Sequence, residues 1–94
     1  MSTSATDVAR SNLLRDTLVA LQANMADEPL RAACARFLDT LNYTAPELVD
    51  KRWREVHEFL CTQVPETPAL QDIWNKATLQ HTGMRSAASS TEGP

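Results

Sequence analysis

Glycine is nearly missing: two of 94 residues, Gly83 and Gly93, both close to the C-terminal end. That excludes every glycine-rich phosphate cradle, whether P-loop, dinucleotide fingerprint or kinase loop. It also disfavours a β-sandwich, whose many tight turns need glycine. β-Branched aliphatics are scarce too, with one isoleucine and five valines against eleven leucines and thirteen alanines. Alanine and leucine lose little entropy in a helix, whereas β-branched residues stiffen at χ1, so the balance points to an all-α chain. No apolar run approaches the roughly 18 residues a membrane span needs. Positive charge is not in excess: the net charge is −3. Nonspecific nucleic-acid binding, which depends on basic surface releasing counterions, is therefore not expected. The start of the chain is polar and lacks a basic-then-apolar export pattern. Two cysteines without such a pattern are expected as free thiols in the reducing cytoplasm.

What is there is helical periodicity. Leu14, Leu18, Leu21 and Met25 fall at i, i+4, i+7 and i+11, one face of a helix from Thr6 to about Asn24. Asp27-Glu28-Pro29 is a helix start, with proline and acid in the first turn where N–H groups lack partners. The second helix carries Leu30, Cys34, Phe37, Leu38 and Leu41 on one face. The short connection predicts an antiparallel hairpin with the first helix. Thr44-Ala45-Pro46-Glu47 has the capping-box spacing and predicts reciprocal bonds between Thr44 and Glu47 at the start of a third helix, running to about Thr62. Its stripe is Val49, Trp53, Val56, Leu60 and Val64, flanked by Leu48 and Phe59. Together these cover roughly 160° of the helix, wider than the ~100° of an ordinary core stripe. Its other surface offers the i,i+4 pairs Glu47–Lys51, Asp50–Arg54, Lys51–Glu55 and Arg54–Glu58. Thr67-Pro68 caps a fourth helix bearing Leu70, Ile73, Trp74, Ala77 and His81, and Gly83 is its natural stop. The expectation is a bundle of about four helices over residues 6–82, a flexible segment at 1–5 and a disordered tail at 83–94.

Sites of chemistry are thin. The only soft metal ligands are Cys34, Cys61, His57 and His81, and no C-x₂₋₄-C knuckle joins them, so no metal or cofactor is expected. His57 and Cys61 stand one helical turn apart and could in principle form a nucleophilic pair, but no third group to orient them is evident. A Cys34–Cys61 disulfide would require the second and third helices side by side. Lys51-Arg52-Trp53-Arg54 is a short basic run interleaved with acids, best read as a solvated helix face, except that Arg52 falls inside the apolar arc. It either lies along the rim or meets a carboxylate at an interface.

Surplus apolar surface on a small core usually marks an interface. The expectation is therefore a non-enzymatic regulatory protein that binds another protein, such as a transcription regulator or an enzyme, and blocks or modulates it. Inhibitors, anti-activators, immunity proteins and adaptors work in this way. Leu48, Arg52, Phe59, Trp74 and Leu79 are the expected partner-binding residues, and a homodimer is expected from the broad third-helix arc. The alternative is a DNA-binding regulator reading through the second and third helices as a helix-turn-helix. Its reading helix would then begin with Glu47 and Asp50, which repel phosphate.

Overall fold

The computed structural model describes residues 5–92, with side chains through Met84. It is all-helical: α1 (Ala5–Ala23), α2 (Glu28–Asn42), a 3-10 turn (Pro46–Leu48), α3 (Val49–Gln63) and α4 (Pro68–Glu92). None of these helices is long and apolar enough to cross a membrane.

Helix α1 is the hub, packing against α2, α3, α4 and the 3-10 turn. Its predicted stripe is the core: Leu14 and Leu21 are wholly buried, and Leu18 and Met25 nearly so. Burying each leucine contributes about 1.5–3 kcal/mol. The α1–α2 hairpin is antiparallel, as its cross-contacts demonstrate. Near the open end Arg15 donates to Asn42 Oδ1 at 3.1 Å, and near the turn Gln22 donates to the Arg31 carbonyl at 3.1 Å. One group of buried residues joins Leu14, Leu18, Leu41, Val49, Trp53, Val56 and Ala77, and a second joins Leu21, Met25, Cys34, Phe59 and Leu70. Phe37, Leu60 and Trp74 pack against both groups and make them one core.

Several local expectations change. The Thr44–Glu47 capping box does not form. Pro46 opens a 3-10 turn instead, neither this turn nor α3 has a side-chain cap, and the Thr44 hydroxyl donates to the Thr40 carbonyl at 2.8 Å. Thr67 does cap α4, accepting from Leu70 N at 3.3 Å, with Pro68 at the first helical position. Gly83 does not stop α4: it lacks the positive φ of a left-handed cap, and the backbone stays helical to Glu92. The outermost residues of the expected flexible segment and tail, 1–4 and 93–94, lie outside the described residues. Among the described residues none of the four expected α3 ion pairs closes; in two of them the acid is engaged elsewhere, Asp50 with Arg10 and His81, and Glu55 with Arg52.

Candidate functional site

Helices α3 and α4 are joined by a short link, residues 64–67, that holds Pro65 and leads into Pro68 at the start of α4. Proline forces the residue before it into extended backbone, and Val64 (φ −105°, ψ 125°) ends α3 in that conformation. Thr67 then starts α4, so the reversal is stiff at both ends. The two helices do not close on one another: among the described residues no Cα of α3 lies within 8 Å of one in α4. Rings fill the gap. His81 stacks on Trp53 (centroids 4.3 Å apart), Trp53 meets Trp74 (5.1 Å), and Trp74 meets His57 (5.9 Å). The row alternates α4, α3, α4, α3.

Two clefts open along this row. One, of about 490 Å³, is walled by Leu60, Cys61, Val64, Leu70 and Trp74. The other, of about 730 Å³, is bordered by Asp50, Arg54, Glu58, Thr78 and His81. His57 and Trp74 line both and form the divide. There Trp74 Nε1 donates to His57 Nδ1 at 3.1 Å, and His57 Nε2 lies 3.5 Å from Cys61 Sγ. His57 and Cys61 are exposed.

Below the second cleft is a charged node. Arg10, 8% exposed, donates through Nη1 to Asp50 Oδ1 at 2.8 Å and through Nη2 to Asp7. His81 Nε2 lies 3.3 Å from the same Asp50 oxygen. Burial works against the Arg10 charge, but the bonds and charges of Asp7 and Asp50 outweigh it and move its pKa up. Sequence periodicity missed this node because it counts apolar residues only. The signal was nevertheless present: Arg10 stands four residues before Leu14, in line with the buried stripe.

The expected partner-binding residues fare unequally. Leu48 and Leu79 are exposed (55% and 74%). Trp74 is half-buried and is the only one of the five to line either α3–α4 cleft. Phe59 is a correction: it is 5% exposed and packs against Phe37 with ring centroids 5.4 Å apart, so it belongs to the core and offers no surface. Arg52 is half-buried, with 24% of its side chain open to solvent, as the rim alternative expects. It does meet a carboxylate, but within its own chain: Nη1 donates to Glu55 at 2.6 Å and Nε to Thr44 Oγ1 at 3.0 Å. Both cysteines are free thiols, Cys34 buried and Cys61 exposed. Burial pushes the Cys34 thiol up. Among the described residues no three His, Cys, Asp or Glu side chains converge on a point where a metal ion would sit. No protein-family model, curated protein or solved structure matches the chain.

Proposed function

We propose that this protein works by binding another protein stoichiometrically, without turnover, and that the α3–α4 face is where it does so. Such a protein blocks or modulates its target by occupying it. The carrying observation is the ring-spaced gap between α3 and α4, which leaves apolar side chains and a half-buried Trp74 along an open cleft. Tryptophan in a partly enclosed pocket, rimmed by polar groups, is the kind of residue on which binding energy concentrates. The acidic net charge favours encounter with a basic partner. The broad α3 arc that suggested a homodimer is largely used within the chain, since Val49, Trp53, Val56 and Phe59 are all buried in it. A second copy is therefore one outcome of the test and not its premise.

The test is capture from the source cell with three forms of the full chain. Gln71 is exposed and lines the smaller cleft, so Gln71→Trp fills the cleft without touching the core. Val19→Ser alters an exposed position on α1 and serves as a control. A partner retained by the parent and Val19→Ser but lost by Gln71→Trp supports the reading. A partner indifferent to Gln71→Trp moves the interface elsewhere, and light scattering that shows a dimer broken by Gln71→Trp assigns the cleft to a second copy.

A further inference from the structure

His57 is held between two groups in a way that neither packing nor protein docking requires. Both of its ring nitrogens have a neighbour, Trp74 Nε1 at 3.1 Å and Cys61 Sγ at 3.5 Å. Flipping the ring would set carbon atoms against the indole N–H and the sulfur, so these contacts also fix its orientation. An indole nitrogen only donates. Nδ1 must therefore accept, neutral His57 carries its proton on Nε2, and that N–H faces Cys61 Sγ.

This polarity separates the uses of a His–Cys pair. A histidine that takes a proton from the thiol, or that ligates a metal through Nε2, needs a lone pair on Nε2 and donates its other N–H to an acceptor. Here the other nitrogen already faces a donor. The arrangement instead gives the sulfur a hydrogen-bond donor, which suits it as the thiolate, the form that attacks. The thiol is exposed and lines a cleft of about 490 Å³. That lies within the roughly 300–1,000 Å³ typical of small-ligand sites. Leu60, Val64, Pro65, Leu70 and Trp74 make its walls apolar, and Glu66 is the one fixed charge among its lining residues.

We propose that Cys61 is a covalent modification site, a thiol that exchanges with small uncharged or cationic disulfides seated in the α3–α4 cleft. The Cys61 proton leaves to solvent, because both His57 nitrogens are engaged. The thiolate attacks one sulfur of the disulfide, a new S–S bond forms to Sγ, and the incoming S–S bond breaks. The electron pair departs with the released thiolate, which takes a proton from solvent. Cys61 is oxidised, the departing half is reduced, and no other oxidant enters. Glu66 disfavours an anionic reagent. Cys34 is the internal reference, a wholly buried thiol whose pKa is moved up by burial.

The experiment uses the native chain and three disulfides: neutral dithiodipyridine, cationic cystamine and dianionic dithiobis(nitrobenzoate). Each rate is divided by that of free N-acetylcysteine. One thiol per chain should react fast, mass spectrometry should place it at Cys61, and the dianion should be the slowest of the three. His57→Ala should slow the reaction roughly tenfold, the worth of a hydrogen bond to a charged acceptor. His57→Gln, whose amide can still donate, should recover most of the rate. Zinc ion should not protect Cys61 in the parent but should begin to in Trp74→Phe, where Nδ1 is released from the indole N–H. Unchanged reactivity in His57→Ala, Cys34 reacting as fast in the folded chain, or zinc protection of the parent would each overturn the proposal.

Discussion

The α1–α2 hairpin and the α3–α4 pair are built differently. The hairpin closes on small and aliphatic side chains: Leu21, Met25, Ala33 and Cys34 lie together, with Cys34 Sγ 3.5 Å from Met25 Sδ. Its two helices approach closely and use up the surface between them. The α3–α4 pair is spaced by rings, which hold the backbones apart and leave clefts. This side also holds a buried polar atom without a hydrogen-bond partner, Trp53 Nε1 on α3. Aliphatic stripes thus make a closed seam, whereas wide flat side chains make an open one that carries polar groups.

The contrast can be broken most directly at Trp53. Trp53→Ala should cost about 3–5 kcal/mol, and Leu18→Ala about 2–5 kcal/mol, both read from urea unfolding. The sharper version is Trp53→Leu, which restores aliphatic bulk but not ring width. It should remain clearly less stable than the parent; full stability would show that rings do not set the α3–α4 spacing. Asp50→Ala comes next. It leaves Arg10 buried without one partner and should cost about 1–3 kcal/mol. That is below the cost for a wholly buried pair, because 43% of the Asp50 side chain is open to solvent.

A third test is alkaline. The folded Cys34 thiol is raised by burial, so its contribution is fully present below the ordinary thiol range, begins to fall there as the unfolded chain ionises, and goes on falling until pH passes the raised folded value. In a Cys61→Ser background, stability should fall with alkaline pH more steeply than in the same background with Cys34→Ala. Equal slopes would mean that the hairpin seam is not closed around Cys34. The smallest effect compares two caps: Thr67→Ala should cost about 1 kcal/mol, while Glu47→Ala should change stability by less than about 0.5 kcal/mol, since no capping box depends on it.

The closed seam was the legible one. The α1 stripe, the hairpin, and the Thr67-Pro68 start follow from spacing and local turn chemistry, which are properties of neighbours in sequence. The open seam was not. Trp74 meets His57 and Arg10 meets Asp50 across separations of 17 and 40 residues, which no periodicity encodes. The α3 core line was displaced for a related reason. It runs through Val49, Trp53, Val56 and Phe59, because Phe37 on α2 draws Phe59 inward, and Leu48 is left outside. At Thr44 the local rule lost to a competitor: the Thr40 carbonyl and Arg52 take the hydroxyl that a capping box would have used.

The Arg10 node also bears on how the chain breathes. The first turns of a helix ordinarily fray, and their amides exchange hydrogen with solvent early. In α1 that region is clasped instead, because Arg10 ties it to Asp50 in the first turn of α3, and Asp50 in turn meets His81 on α4. Opening it means loosening three helices together. The backbone amides of Ala9 to Ser11 should therefore exchange on the timescale of whole-molecule unfolding, and in Asp50→Ala they should become fast while the amides around Leu18 stay slow.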